Sequence, residues 1–170
     1  MDTVPSDAAL QALARTVGER LAARGEWLAT AESCTGGLIA KLLTDIAGSS
    51  RWFERGAVTY SNLAKQQLLG VTGDVLQRSG AVSAETVQAM AQGLLARAPV
   101  QWTLAVSGVA GPDGGSTERP VGTVWIAWSG TRVASGASRF LFAGDRDAVR
   151  RRSAEAALRG LLDLVAAAPA

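Results

Sequence analysis

The chain of 170 residues has no histidine and one cysteine, Cys34. Without an imidazole there is no Ser/His/Asp triad, no Cys/His dyad and no histidine-based zinc site. A lone cysteine cannot close an intramolecular disulfide, which fits a reducing compartment. Lysine is almost as scarce: of 17 Lys+Arg only Lys41 and Lys65 are lysines, so a reactive amine has two candidates. Aromatic residues make up 5% and the formal charge is +2, with no lysine-rich tail and almost no interleaving of aromatic and basic residues, so nucleic acid is not an expected partner despite a pI near 9.2. No apolar run reaches the roughly 18 residues of a membrane span. The opening MDTVPSDAALQALART is acidic and then amphipathic, unlike a secretory signal, so a cytoplasmic protein is expected. What is present, 48% hydrophobic and 19% charged residues, suits one domain with a substantial core.

Residues 8 to 24 place Leu10, Leu13, Ala14, Val17 and Leu21 at helical spacing behind Ser6 or Asp7 as N-cap, and Gly25 ends the helix. Trp27 to Thr30 reads as a buried strand running into Glu32-Ser33-Cys34-Thr35-Gly36-Gly37, with a helix from Leu38 to Ile46. Residues 56 to 60 read as a strand, SNLAKQQLLG as a loop entering a short helix, and the following residues as a polar turn. Ser83 opens a helix through Leu95, and Pro99 leads into a strand from Trp102 to Ser107. GVAGPDGGSTERP, with four glycines and two prolines in 13 residues, is a loop. Residues 121 to 128 and 132 to 142 form a hairpin around Ser129, Gly130 and Thr131, and a helix spans about 145 to 166. This order predicts a three-layer α/β/α sandwich with a mixed, mainly parallel sheet in which one hairpin strand is reversed. Trp27, Trp102 and Trp125 are assigned to packing; Trp52 and Trp128 are left unassigned.

Four segments can carry chemistry. A strand end beside a helix start gathers free N–H groups, so Ser33 or Thr35 in the first turn is placed to attack or simply to cap the helix. Tyr60-Ser61-Asn62 with Lys65 follows the next strand. A serine without histidine needs another base, and a desolvated lysine is the available kind; Lys65 also reads as an exposed helix lysine. Lys41 lies eight residues beyond Ser33, about 12 Å along its helix, too far to share that proton. Tyr60, the only tyrosine, either fills a strand end, stacks on a ring or holds Lys65. The stretch Ser107-Gly108-Val109-Ala110-Gly111-Pro112-Asp113-Gly114-Gly115 lets a ligand approach backbone N–H groups, or is a long turn; it has neither a P-loop ending nor GxGxxG. Arg146 and Arg150, one turn apart, could clamp a phosphate, while Arg151 and Arg152 read as a solvated helix face.

Taken together, AESCTGG, DIAGSSRWFERGAVTYSNLAKQQLLGV, GAVS, SGVAGPDGG, PVGTVW and GDRDAVR, in that order, resemble the CinA C-terminal domain family. Its stand-alone members include nicotinamide mononucleotide (NMN) amidohydrolases. The likeness covers about residues 8 to 165 of one domain, 1–170. It implies hydrolysis of the NMN carboxamide to nicotinate mononucleotide and ammonia, a pyridine nucleotide salvage step. Ser33 would be the nucleophile, Lys65 the base and later the proton donor to ammonia, and N–H groups from Cys34 through Thr35 and Gly36 to Gly37 the oxyanion partners. Tyr60 and Asn62 would position lysine and ring. Glu32 and Ser107 would bind substrate too; the loop carrying Gly108, Ala110, Gly111, Gly114 and Gly115 would bind ribose and 5′-phosphate with Arg146. The resemblance further implies an anticodon-binding-domain-like sandwich with a five-stranded sheet, assembled as a homodimer or higher homo-oligomer, with no metal and no cofactor. Two alternatives stand beside it. Cys34, paired with lysine and a carboxylate such as Glu32, could be the nucleophile, or the chain could be a non-catalytic nucleotide-binding or competence- and damage-related module.

Overall fold

The computed structural model describes residues 3–169. Met1, Asp2 and Ala170, which hold the acidic start and both ends of the expected domain, lie outside the described residues. Helix α1 (Asp7–Arg24) starts at Ser6, whose side chain accepts the Ala9 N–H, and stops at Gly25 in the left-handed conformation. There follow β1 (Leu28–Glu32), α2 (Leu38–Thr44), a 3-10 turn (Ser49–Arg51) and β2 (Phe53–Val58). Next come α3 (Asn62–Leu69), α4 (Gly73–Ser79), α5 (Ala84–Leu95), β3 (Trp102–Gly108), β4 (Thr123–Gly130), β5 (Val133–Leu141) and α6 (Arg146–Ala167).

The strands form one sheet in the order β2-β1-β3-β4-β5. β1 is parallel to both β2 and β3, while β4 is antiparallel to β3 and to β5, so β4 alone is reversed. The sandwich is therefore the expected one, mixed and five-stranded with helices on both sides. Strand alternation sorts side chains by size. Leu28, Leu104, Val106, Val124, Ile126 and Trp128 face α1, α2 and α6, whereas Ala29, Ala31, Ala105 and Ala127 face α5, which small side chains let approach closely. No helix among the described residues is long and apolar enough to cross a membrane.

Several boundaries move. β1 runs two residues past Thr30 because it is paired on both sides through Glu32, opposite Val58 and Val106. That register starts β2 at Phe53 rather than residue 56 and releases Thr59 and Tyr60 from the sheet. α2 ends at Thr44, before Ile46. The hairpin turn falls on Thr131 and Arg132, since β4 continues through Gly130. The segment taken for a polar turn contains α4, capped by Thr72 accepting the Val75 N–H, with Leu76 buried against α5's core. Trp52 and Trp128 are core residues: each ring lies over a glycine, Gly18 and Gly160, where a Cβ would come within 2.4 and 2.3 Å of it. Arg151 does not sit on a solvated face; it donates to the Pro5 carbonyl and pairs with Asp7, tying α6 to the start of α1.

Candidate active site

Three parallel strands deliver their carboxyl ends to one edge of the sheet, where loops rather than ladder partners receive the chain. β1 leads into the turn of residues 33 to 37. The Ser33 N–H donates to the Val106 carbonyl of β3 (2.9 Å), the Gly36 N–H to Ser33 O and the Leu38 N–H to Thr35 O. Gly36 and Gly37 have φ of 60° and 95°, a left-handed pair that side chains rarely tolerate, and this bend turns Ser33 toward the loops. β2 leads through Thr59 and Tyr60 to Ser61, which caps α3 by accepting the Ala64 N–H at 3.0 Å. Lys65 sits one turn into α3 and reaches back under the sheet edge.

Lys65 is 1% exposed, the largest fully buried side chain among the described residues. Its Nζ contacts three uncharged acceptors: Thr59 O at 2.8 Å, Tyr60 O at 3.3 Å and Ser33 Oγ at 3.2 Å. Burial pushes its pKa below the usual lysine value. Cys34 moves the other way. Burial, with the Glu32 carboxylate adding to it, pushes its thiol up to about 12, which favours the protonated form at neutral pH.

These groups open on a cavity of about 270 Å³. Ser33, Cys34, Tyr60, Lys65, Ser107, Gly108, Ala110, Gly111, Gly114 and Arg146 line it, so residues expected from four separated segments come together. Ser107 donates its hydroxyl to Ala81 O at 2.7 Å, fixing the far wall. From α6, Arg146 donates to Gly111 O (2.7 Å) and to the Tyr60 hydroxyl (3.1 Å), linking two rims of the opening. Arg150, the other half of the expected clamp, instead donates twice to Thr35 O, at 2.7 and 3.3 Å. A larger hollow of about 940 Å³ between β5 and α6 holds no serine, cysteine or lysine and has no comparable chemistry.

The remaining expected site residues lie elsewhere. Thr35, Gly36, Gly37, Asn62 and Gly115 do not line the cavity; Asn62 is exposed at the first position of α3. Glu32 is 1% exposed behind the turn, where its Oε2 accepts from Gly37 N and Ile39 N (3.1 Å each) and its Oε1 from Ala40 N (2.8 Å). Tyr60 holds Lys65 through its carbonyl, while its 61% exposed ring faces Arg146. Ala81, Val82, Val109 and Asp113 line the cavity without having been singled out as site residues. Ala81 and Val82 carry no reactive group; their signal was the stretch GAVS, which shares in the family resemblance and stands just before a helix start.

Comparison with known proteins gives a consistent set of likenesses. The model of the CinA C-terminal domain matches residues 10–165. The nicotinamide-nucleotide amidohydrolase PncC of Escherichia coli (strain K12) is 53% identical over 156 residues, 92% of this chain and 94% of that protein. The Pseudomonas putida protein of the same name is 54% identical over 153 residues, covering 89% and 94%. Among solved structures, the competence/damage inducible protein CihA from Agrobacterium tumefaciens superposes with a TM-score of 0.90 at 41% identity, covering 96% of this chain and 99% of that one.

Proposed function

The chain belongs to the CinA C-terminal domain family, and on that premise we propose that it is a nicotinamide-nucleotide amidohydrolase working through Ser33 and Lys65. The reaction converts NMN and water to nicotinate mononucleotide and ammonia. One observation carries the mechanism: Lys65 Nζ is buried against two carbonyls and one hydroxyl, with no carboxylate among its partners. An ammonium in that setting would be desolvated without a counter-charge, at a cost of several kcal/mol, so the neutral amine is favoured. The neutral amine has two N–H groups, which Thr59 O and Tyr60 O accept, and one lone pair, which is left for the Ser33 hydroxyl proton.

Ser33 Oγ attacks the carboxamide carbon as its proton passes to Lys65, giving a tetrahedral oxyanion. The Lys65 ammonium then returns the proton to the departing nitrogen, the C–N bond breaks, and ammonia leaves an acyl ester on Ser33. Water, deprotonated by the same amine, attacks that ester, and Ser33 regains its proton. Cys34 lies in the cavity wall, but the Ser33 hydroxyl is the one held 3.2 Å from Lys65 Nζ, which favours Ser33 as nucleophile. The loop from Gly108 to Gly115, with Arg146, would take ribose and 5′-phosphate: a phosphate oxygen would replace the uncharged Gly111 O or Tyr60 hydroxyl on the Arg146 guanidinium, a stronger, charge-assisted contact. No step calls for a metal or cofactor.

The reading further includes a cytoplasmic, single-domain enzyme that pairs with a second copy. Val58, Tyr60, Leu63 and Leu68, all about half exposed or more around β2 and α3, form the apolar surface such a pairing would cover. Sedimentation at micromolar concentration checks the pairing, and a monomer there contradicts it. Incubating the purified protein with NMN and assaying ammonia and the acid product tests the activity. Wild type and Cys34→Ala are expected to release both and Ser33→Ala neither; activity surviving in Ser33→Ala and lost in Cys34→Ala would reverse the assignment.

A further inference from the structure

Resting on that reading of Ser33, we propose that Glu32 and Arg150 are positioning residues of the reaction, gripping the nucleophile turn from opposite sides so that the N–H groups of Cys34 and Thr35 are left for the oxyanion. The donors of the turn can be followed one by one. Ser33 N–H goes to Val106 O, Gly36 N–H to Ser33 O and Leu38 N–H to Thr35 O. Gly37, Ile39 and Ala40 N–H all go to the Glu32 carboxylate. Among the described residues, Thr35 N–H has no acceptor and Cys34 N–H meets only its own sulfur, and both directly follow the nucleophile. An anion binding at the start of α2 itself would have to displace a buried carboxylate already holding three donors. These two N–H groups, neither engaged by another residue, lie one and two residues from Ser33, next to where an oxyanion formed on its substrate would develop.

Arg150 fixes the turn from the other side. Its Nε and Nη2 both donate to Thr35 O, and its guanidinium lies where a Cβ on Gly36 would approach it to 3.2 Å. Glu32 thus holds the turn by its donors and Arg150 by its acceptor, and neither needs to touch substrate. Opposite charges give the proposal a sharp test. A field effect on the oxyanion predicts that removing the Glu32 charge speeds the reaction and removing the Arg150 charge slows it. Positioning predicts that both slow it.

The experiment measures kcat and KM for NMN, and inhibition by 3-pyridineboronic acid, in wild type, Glu32→Gln, Arg150→Met and Ser33→Ala. The boronic acid is trigonal and neutral until its boron accepts the Ser33 Oγ electron pair, with the hydroxyl proton passing to Lys65, and it then carries a tetrahedral anion in place of the reaction's own. Glutamine offers one acceptor oxygen and sets an NH2 against backbone donors, so the turn must shift. Each positioning variant is expected to lose roughly tenfold to a hundredfold in kcat with KM within about threefold. Boronate affinity should fall in step with kcat/KM, a split that loss of folded protein alone would not produce. Folding is checked by thermal melting. If Glu32→Gln does not fold, Arg150→Met and Arg150→Lys decide the matter, with lysine restoring part of the loss. A folded Glu32→Gln or Arg150→Met with kcat within about twofold of wild type, or a Glu32→Gln with faster turnover, overturns the proposal. Full activity in Ser33→Ala would instead overturn the reading beneath it, which keeps the two failures distinguishable.

Discussion

The two edges of the sheet each bury an ionisable side chain, and they treat it in opposite ways. At the amino edge, Glu26 is 7% exposed and accepts from Arg24 at 2.9 and 3.2 Å and from Trp102 Nε1 at 2.7 Å. Burial alone would raise its carboxyl; the Arg24 and Trp102 hydrogen bonds outweigh that and hold it below the usual carboxylate range. At the carboxyl edge, Lys65 is buried more deeply and meets only neutral oxygens. The first arrangement keeps a charge by pairing it, and its result is a tie between α1, β3 and the chain end, where Arg24 also reaches Ala168 O and Pro169 O. The second withholds the counter-charge, and its result is an amine that can take a proton. On the proposed mechanism, one edge is organised for stability and the other for reactivity.

The comparison breaks most decisively at Lys65. Lys65→Met should lower kcat by at least about a thousandfold, with NMN binding retained in equilibrium titration and a melting temperature equal to or above wild type. Near wild-type turnover would remove the lysine from the mechanism. Glu26→Ala should do the reverse. Leaving Arg24 and the Trp102 N–H without their acceptor costs about 3 kcal/mol, or roughly 6–12 °C in melting temperature for a chain of this size, while kcat stays within about twofold. A calorimetric melt and a steady-state assay on the same preparation check both halves.

A change of pH should separate the two edges without any mutation. The folded Glu26 carboxyl titrates below its unfolded value, so its contribution is full above the unfolded pKa and is lost as pH falls through the folded one. Acid melting of wild type against Glu26→Gln measures it: the gap should close as pH drops. Lys65 is also lowered, but as a base. Between its folded and unfolded pKa the unfolded chain holds the extra proton, so its burial penalty shrinks as pH rises, while turnover rises just below that window, as pH passes through the folded pKa and the free amine forms. A rate that falls through that range would contradict the assignment. The smallest effect is expected at Cys34. Cys34→Ala removes a buried thiol whose pKa is near 12, and kcat should change by less than about threefold, with a modest loss of stability measured by denaturant unfolding.

What the sequence revealed followed from elimination and local pattern. With no histidine and two lysines, a serine needing a base had few partners, and Lys65 followed a strand while Lys41 lay too far along its helix. Strand, glycine-rich turn and helix were readable around Ser33 because those signals are local. The misplaced features depend on distant partners. Nothing near Trp52 or Trp128 indicates that Gly18 and Gly160 make room for their rings. Nothing near Arg151 indicates Asp7, and nothing near Arg150 indicates the Thr35 carbonyl. Helix α4 was missed because GDVLQRS is short, starts with glycine and is stabilised by Leu76 packing on α5 rather than by its own propensity. Glu32 is expected among the substrate-binding residues, yet at that position β1 is still paired and the side chain turns to the helix behind.

The central claim is that Lys65 is an uncharged amine when Ser33 attacks. With Lys41 replaced by arginine, Lys65 is the only lysine, and 15N-labelled protein gives one Nζ resonance to follow against pH. The account predicts a single titration with its midpoint well below the usual lysine value, coinciding with the rising limb of kcat/KM for NMN. A Nζ that remains protonated throughout the range in which turnover is already at its plateau would contradict it.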